Sequence, residues 1–163
     1  MLGTAANTSW ATAAASAPPS YNGNGGSQPP TNPGGATGPI TSAIAGKCVD
    51  VDHSGTADGT KVQLWSCNGS LAQSWTPVNG TLQALGKCLD VSNSGTANGS
   101  LVQLWDCNSS GAQQWTYDTG TGALRNPQSA RCLDVPNSST TDGTQLQIYD
   151  CNATNAQRWT LPS

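Results

Sequence analysis

The sequence predicts an all-β domain built as a closed barrel with pseudo-threefold symmetry, and three observations support this prediction. Residues 40–163 contain one pattern three times, with offsets of 40 and 44 residues between successive copies. No window shows a sustained helical period, and strong helix formers are scarce, since glutamate is absent and methionine occurs once. Three similar units of about four short strands favour a closed barrel, because closure leaves no exposed sheet edge.

The repeated pattern has four fixed points. Each copy contains the string Cys-(Val/Leu)-Asp-Val after a Lys or Arg, and an aromatic residue stands 15 positions after the Asp. A second Cys follows two positions later, and each copy ends in Gln-x-Trp. The register predicts repeats at about residues 40–80, 81–120 and 121–163. Three matched copies do not arise by chance, so the repeats define the domain.

Strands are expected at four places in each copy, which makes twelve in total. The strings Val-Gln-Leu-Trp, found twice, and Leu-Gln-Ile-Tyr alternate at period 2, and Asp-Gly or Asn-Gly turns precede them. The other strands are expected at Cys-x-Asp-Val, at Gln-x-Trp, and near Ile40, Leu82 and Leu124. The four extra residues of the third copy predict one longer turn between Asp118 and Pro127.

The six cysteines favour a structural role. The pairs that stand 19 positions apart are Cys48 and Cys67, Cys88 and Cys107, and Cys132 and Cys151. Six cysteines permit 15 pairings, and threefold repetition makes pairing within each copy the simplest. A zinc site is the alternative, but it needs closely spaced cysteine pairs or several histidines, which this sequence lacks. We therefore expect three disulfides, no metal and an oxidising, extracellular location.

Two sets of aromatic residues have different expected roles. The tryptophans of Gln-x-Trp are expected in the core, and they are Trp75, Trp115 and Trp159. The aromatic residues before the second Cys lie on strands whose alternate positions are already apolar, so spacing alone leaves their orientation open. This second set is Trp65, Trp105 and Tyr149.

Residues 1–39 differ in composition from the repeats. They consist almost entirely of Ala, Ser, Thr, Asn, Gln, Gly and Pro, and the first charged side chain is that of Lys47. So little apolar surface does not offset the ordering entropy, which predicts a disordered linker. The first residues, including Trp10, belong either to this linker or to the tail of an upstream domain. Because no cationic and apolar leader is visible, we expect a fragment of a longer secreted protein or a misplaced start codon.

The charge balance excludes two classes of partner. Six basic side chains stand against nine acidic ones, all of them aspartate, and the net charge is −3. This leaves no basic patch for nucleic acid. No stretch approaches the roughly 20 apolar residues of a membrane-spanning helix, so membrane insertion is not expected. We expect a monomer, and the low charge fits a neutral, hydroxyl-rich ligand.

The motifs Cys-(Val/Leu)-Asp-Val, Gln-(Leu/Ile)-(Trp/Tyr)-x-Cys and Gln-x-Trp closely resemble those of the ricin-type β-trefoil lectins, which include carbohydrate-binding module family 13. The resemblance covers residues 40–163 and all three repeats. It implies a β-trefoil with one sugar pocket in each repeat, without a cofactor and without catalysis of its own. It also implies attachment to a secreted glycoside hydrolase through a linker such as residues 17–39.

Carried over position by position, the resemblance implies a pocket of one carboxylate, one aromatic residue and several amides in each repeat. The implied residues are Asp50, Gln63, Trp65 and Asn68, with His53 at the edge; Asp90, Asn93, Gln103, Trp105 and Asn108; and Asp134, Asn137, Gln147, Tyr149 and Asn152. The chemistry agrees, because a carboxylate accepts two strong hydrogen bonds from neighbouring hydroxyls and an aromatic face matches the C–H face of a pyranose. Amides both donate and accept.

One position departs from the family pattern. Where the family often has an Asn just before Gln-x-Trp, this chain has Ala72, Ala112 and Ala156, which predicts lower affinity or a different preferred sugar. The implied ligands are galactose- or xylose-containing oligosaccharides or polysaccharides.

Two other interpretations stay open. The repeated aspartates can simply anchor turns. The trefoil can also serve as a protein-interaction module, such as an inhibitor or adhesin, with decayed sugar sites. Catalysis is not expected, because the repeated aspartates lack the two distinct environments that glycoside hydrolysis needs.

Overall fold

The computed structural model describes residues 35–163, whose regular structure consists of short β-strands and single 3₁₀ turns. The linker and the upstream tail expected from the sequence fall largely on residues 1–34, which lie outside the described residues. Residues 35–39 contact the domain: the N–H of Gly35 donates to the carbonyl of Pro77 (2.8 Å), and that of Gly38 to the carbonyl of Trp75 (2.9 Å). The described domain therefore begins before Ile40.

Thirteen strands occur in the described residues, where the sequence predicted twelve. They are β1 (Thr41–Ser42), β2 (Lys47–Val51), β3 (Thr60–Ser66), β4 (Thr76–Val78), β5 (Thr81–Ala84), β6 (Lys87–Val91), β7 (Val102–Trp105), β8 (Thr116–Asp118), β9 (Ala123–Asn126), β10 (Arg131–Asp134), β11 (Thr144–Gln145), β12 (Gln147–Tyr149) and β13 (Trp159–Thr160). The additional strand arises because one expected strand divides at Leu146. The backbone of Leu146 bonds to Val62 and Val102, in the two other repeats, rather than within its own hairpin.

Six strands form a closed barrel. Three antiparallel pairs, β4–β5, β8–β9 and β13–β1, contribute its sides. The pairs are joined by the backbone N–H groups of the Gln-x-Trp tryptophans, which donate across 2.8 Å from Trp75 to Gly38, from Trp115 to Gly80 and from Trp159 to Gly122. Because the last strand pairs with the first, no edge of this barrel is left open.

Three hairpins, β2–β3, β6–β7 and β10–β12, form a second ring. Neighbouring hairpins pair with one another, since Thr60 lies opposite Leu104, Leu101 opposite Gln147, and Thr144 opposite Leu64. Each repeat therefore contacts the other two. A six-stranded barrel joined to three hairpins is the β-trefoil, and this part of the prediction is confirmed.

The core confirms the prediction for the repeat-closing tryptophans. Trp75, Trp115 and Trp159 are each at most 2% exposed. Each indole Nε1–H donates to the carbonyl of the residue that precedes the repeated Asp, at 2.9–3.1 Å. The buried donor is thereby satisfied, which a buried indole requires. These bonds also attach the core to the strand that carries the Asp.

All six cysteines form disulfides within their own repeat, as predicted. The bonds join Cys48 to Cys67, Cys88 to Cys107 and Cys132 to Cys151, and the Cα atoms of each pair are 5.1 Å apart. No cysteine in the described residues is free, so the alternative of a zinc site is wrong.

The prediction of one longer turn in the third repeat is wrong, because the structure divides the extra residues between two turns. Asn79 and Gly80 alone join β4 to β5, whereas residues 119–122 join β8 to β9. Leu85 and Gly86 join β5 to β6, whereas residues 127–130 join β9 to β10. Two extra residues in each turn keep β9 in register with its equivalents.

Removal of one disulfide is expected to destabilise the domain substantially. The double variant Cys88→Ala/Cys107→Ala should unfold with a free energy lower by roughly 3 kcal/mol, because the unfolded chain regains the entropy of a loop of this length. Urea denaturation followed by tryptophan fluorescence measures the loss. The equivalent variant of Cys132 and Cys151 serves as a control and should lose the same amount. A loss below about 1 kcal/mol in both variants contradicts this expectation.

Candidate functional site

Each repeat holds one nearly buried aspartate between two glutamine amides. Asp50 is only 5% exposed. Its Oδ1 accepts a hydrogen bond from Gln63 Nε2 (2.9 Å), and its Oδ2 accepts one from Gln73 Nε2 (2.9 Å). A carboxylate removed from water requires such donors, because its desolvation is otherwise costly.

The other two repeats reproduce this arrangement almost to the tenth of an ångström. Asp90 and Asp134 are also 5% exposed. The amide-to-carboxylate distances are 3.0 Å from Gln103 and 2.9 Å from Gln113 to Asp90, and 2.9 Å from Gln147 and 2.8 Å from Gln157 to Asp134. We define a pocket as one repeated Asp, its two glutamines and the exposed aromatic residue two positions after the first glutamine. The pockets of the three repeats are called the first, second and third pocket.

Strand register brings the parts of the first pocket together. Asp50 on β2 lies directly opposite Gln63 on β3. Trp65 follows two positions along β3, so its side chain leaves the strand on the same face as that of Gln63. Trp65 is 38% exposed, and its equivalents Trp105 and Tyr149 are 38% and 41% exposed. The sequence left their orientation open, and the structure turns all three aromatic residues to solvent.

The asparagine after the second Cys is tied to the same cluster. The backbone N–H of Asn68 donates to Gln73 Oε1 (2.9 Å), while its Oδ1 accepts from the N–H of Ser70 (3.0 Å). Asn108 and Asn152 make the equivalent bonds in their repeats. The side-chain amide nitrogen takes no part in these bonds and lies on an exposed residue.

Asn93, Asn137 and His53 occupy a different place. They form the middle of the 3₁₀ turns Ser92–Ser94, Pro136–Ser138 and Asp52–Ser54, with φ between 53° and 56°. Asparagine tolerates this left-handed backbone better than most residues. Their turns pack against the turns that carry the second glutamine of each pocket. In the described residues no hydrogen bond joins these side chains to the pocket aspartates, so their contact with a ligand stays a prediction.

The sequence interpretation missed the second glutamine of each pocket. Gln73, Gln113 and Gln157 were expected to begin a strand, but they end the 3₁₀ turns Leu71–Gln73, Gly111–Gln113 and Asn155–Gln157 and are at most 2% exposed. Their constant position 23 residues after the repeated Asp was a signal that could have identified them. The adjacent alanines, Ala72, Ala112 and Ala156, belong to the hydrophobic core.

Comparison with known proteins agrees with this geometry. The family model for the ricin-type beta-trefoil lectin domain matches residues 36–162. The chain belongs to this family. A glucan endo-1,3-beta-glucosidase of Cellulosimicrobium cellulans is 58% identical over an alignment of 113 residues, and the match covers 67% of this chain and 21% of that protein. The chain thus spans about one fifth of the length of this relative.

Solved structures share the fold of this lectin domain. The designed threefold symmetric protein ThreeFoil superposes with a TM-score of 0.71 at 32% identity, covering 76% of this chain and 95% of that chain. A non-toxic homologue of type II ribosome-inactivating proteins from Momordica charantia, in complex with α-methyl-D-galactoside, has a TM-score of 0.69 at 30% identity. That match covers 77% of this chain and 46% of the other.

Charged clusters join the repeats of the lectin domain beside the pockets. Lys87 Nζ donates to Asp58 Oδ1 (2.9 Å) and also contacts Asp106, while Lys47 Nζ donates to Asp142 Oδ1 (2.6 Å). The hydrogen bonds from Lys87 and Lys47 hold the pKa values of Asp58 and Asp142 below their ordinary value of 3.8. The bonds to Asp106 and Asp58 raise the pKa of Lys87 above its ordinary 10.5.

One cleft lies outside the pockets, but two of its polar side chains are already hydrogen-bonded within the protein. This open cleft of about 370 Å³ is lined by residues that include Tyr117 and Arg158, and none of its lining residues belongs to a pocket. Its Tyr117 hydroxyl already donates to Trp159, and the Arg158 guanidinium to Ala153 and Asn155. Within residues 35–163 no group of three or more His, Cys, Asp or Glu side chains is arranged to hold a metal. No helix of this described part is long and apolar enough to cross a membrane.

Loss of the second glutamine should disrupt one pocket. Gln113→Leu removes the donor to Asp90 Oδ2 and the acceptor for the backbone N–H of Asn108. It should therefore lower the free energy of unfolding by about 1–3 kcal/mol, which chemical denaturation measures. The control is Gln114→Leu at the adjacent position, which lies outside the cluster. Equal losses in the two variants would contradict a specific role for Gln113.

Acid should remove the contribution of the inter-repeat ion pairs. Because the pKa values of Asp58 and Asp142 are lowered on folding, their contribution is complete above pH 3.8 and is lost as the pH falls through the lower folded values. The stability difference between wild type and Asp58→Asn/Asp142→Asn should therefore stay constant from neutral pH to about pH 5 and then shrink. Denaturation curves recorded between pH 7 and pH 2 test this. A difference that persists unchanged at pH 2 rules it out.

Proposed function

We propose that this domain binds carbohydrate without catalysing a reaction, through up to three pockets, and directs an attached secreted glycoside hydrolase to its polysaccharide. The proposed ligands are galactose- or xylose-containing glycans. One observation carries the proposal: every repeat presents a hydrogen-bonded aspartate beside a solvent-exposed aromatic side chain.

The remaining hydrogen-bonding capacity of each pocket suits sugar hydroxyls. A carboxylate offers about four lone-pair sites, and the two glutamines occupy one on each oxygen. Each carboxylate therefore retains acceptor capacity for two hydroxyl donors. In the first pocket, Gln63 Oε1 is buried and has no hydrogen-bond partner in the described residues.

The aromatic residue supplies the apolar part of recognition. A pyranose has one face rich in C–H groups, which packs on an aromatic plane while the hydroxyls at its rim remain available for hydrogen bonds. Trp65, Trp105 and Tyr149 expose between 38% and 41% of their surface, which leaves such a plane accessible. This pairing of a stacking surface with a carboxylate favours a neutral sugar over an anionic ligand.

The relatives support both parts of the proposal. The bitter gourd homologue is described in complex with a galactoside, and the bacterial relative is a glucan endo-1,3-beta-glucosidase much longer than this chain. A binding module attached to a hydrolase fits that relation. The relative's name also makes β-1,3-glucan a ligand to be tested beside xylan and galactan.

The equivalence of the three aspartates supports a purely binding role. Glycoside hydrolases generally need one carboxyl as acid and a second in a different environment. Asp50, Asp90 and Asp134 have the same partners, the same burial and the same strand position. Three disulfides in so small a domain also favour a secreted protein, as proposed.

A glycan panel tests the function. Calorimetry or affinity electrophoresis against xylan, galactan, arabinan, β-1,3-glucan, galactose and lactose should detect at least one ligand. Individual sites are expected near millimolar dissociation constants, about −4 kcal/mol, and polymers should bind more tightly because several pockets engage one chain. The triple variant Asp50→Asn/Asp90→Asn/Asp134→Asn should lose binding at least tenfold.

Asp118→Asn provides the control for loss of a carboxylate. Asp118 is the last residue of β8, where its Oδ1 accepts hydrogen bonds from the N–H groups of Gly120 and Thr121 in the following turn, and an asparagine keeps this acceptor. It should bind as the wild type does. Binding that survives in the triple variant, or no binding to any glycan, would sink the proposal and favour the protein-interaction module instead.

A further inference from the structure

We propose that each sugar pocket is assembled from two repeats, because the Asp-Gly or Asn-Gly turn of a neighbouring repeat positions its aromatic residue. The inference deepens the proposed function and rests on it, since the aromatic residue is the surface on which a sugar ring would stack. The turns are Asp58–Gly59, Asn98–Gly99 and Asp142–Gly143, which serve the second, third and first pocket respectively.

The second pocket shows how such a turn acts. Asp58 Oδ1 accepts a hydrogen bond from the backbone N–H of Asp106 (2.8 Å). The N–H of Gly59 donates to the carbonyl of Leu104 (2.8 Å). Leu104 and Asp106 flank Trp105, so a turn of the first repeat fixes the main chain on both sides of an aromatic residue of the second repeat.

The first pocket repeats these two bonds with a turn from the third repeat. Asp142 Oδ1 accepts from the N–H of Ser66 (2.9 Å), and the N–H of Gly143 donates to the carbonyl of Leu64 (2.8 Å). Trp65 is the residue between them. The arrangement therefore closes into a ring, in which the last repeat supports the first.

The third pocket shows which property of the turn matters. Here Asn98 Oδ1 accepts from the N–H of Asp150 (2.7 Å), and the N–H of Gly99 donates to the carbonyl of Ile148 (2.9 Å), on either side of Tyr149. An uncharged asparagine makes the same bonds as the two aspartates. The acceptor oxygen, and not the negative charge, is therefore the part that positions the aromatic residue.

The glycine of each turn lies against the pocket side chains. Gly59, Gly99 and Gly143 have φ between 91° and 95°, a backbone conformation that favours glycine. A methyl group on Gly59 would lie 3.8 Å from the Trp105 ring and 3.9 Å from Gln103 Oε1, and one on Gly143 would lie 3.8 Å from the Trp65 ring. A side chain at the turn would therefore meet the aromatic ring in the first and second pockets, and the Gln147 amide in the third.

A basic side chain of the pocket's own repeat completes the connection. This is the Lys or Arg just before Cys-x-Asp-Val. Lys87 binds Asp58 Oδ1 (2.9 Å), Lys47 binds Asp142 Oδ1 (2.6 Å), and Arg131 Nε donates to Asn98 Oδ1 (2.6 Å). The turn oxygen that accepts the backbone N–H of the residue after the aromatic one therefore also binds a basic side chain from the same repeat as that aromatic residue.

The positions of the aromatic side chains can be tested without any ligand. The indole N–H signals of Trp65 and Trp105 in a proton–nitrogen correlation spectrum report the first and second pocket separately. Asp58→Ala should shift or broaden the Trp105 signal, and Asp142→Ala the Trp65 signal. Asp58→Asn should leave the Trp105 signal in place, as Asn98 leads us to expect. If Asp58→Ala moves both signals equally, or neither, the inference is wrong.

Binding provides the second readout. In a protein whose first and third pockets carry Asp50→Asn and Asp134→Asn, Asp58→Ala should weaken binding of xylan or lactose about fivefold, while Asp58→Asn retains it. Asp118→Ala, at the end of β8, is the control for a lost aspartate. Full affinity in Asp58→Ala overturns the inference. If the parent protein binds neither glycan, the proposed function has failed for these sugars, and the indole spectra alone decide whether the turn positions Trp105.

Discussion

The architecture depends on a carboxylate that is buried in each repeat and must be hydrogen-bonded there. An aspartate that is 95% buried is tolerated only when donors replace water, and two glutamines from different parts of the repeat do so. Gln63 lies on β3, opposite the strand that carries Asp50, whereas Gln73 ends the 3₁₀ turn that comes before the barrel strand β4. The carboxylate therefore connects the hairpin to the barrel, and the residue proposed to bind sugar also specifies the local fold.

A core tryptophan also binds the strand that carries the buried Asp. The indole of Trp75 donates to the carbonyl of Val49, the residue next to Asp50, and stands two residues after Gln73. One short stretch of chain, Gln-x-Trp, thus fixes both the Asp side chain and the main chain beside it. This explains why the motif recurs unchanged in all three copies, although its x position holds Ser74, Gln114 or Arg158.

The sequence predicted the features that depend on spacing within one repeat. The disulfides and the core tryptophans follow from a constant register, whereas the carboxylate and aromatic residue of each pocket were implied by the family resemblance. The role of Gln73 was missed because a 3₁₀ turn of three residues has no periodicity to detect. The support of Trp105 by Asp58 was missed for another reason, since it depends on how two repeats pack. Spacing along the chain carries no information about that packing.

Symmetry in the bonds does not extend to the rim of the pockets. The 3₁₀ turn that ends in the second glutamine begins with Leu71, Gly111 or Asn155, and Leu71 is 71% exposed. In the second repeat a side chain at Gly111 would collide with Gln128, which extends from one of the lengthened turns of the third repeat. The turns that carry the second glutamine of the three equivalent pockets therefore begin with an apolar side chain, a glycine and an amide. Under the proposed function, we expect the three pockets to differ in glycan preference through these positions, more than through the shared carboxylate and its two glutamines.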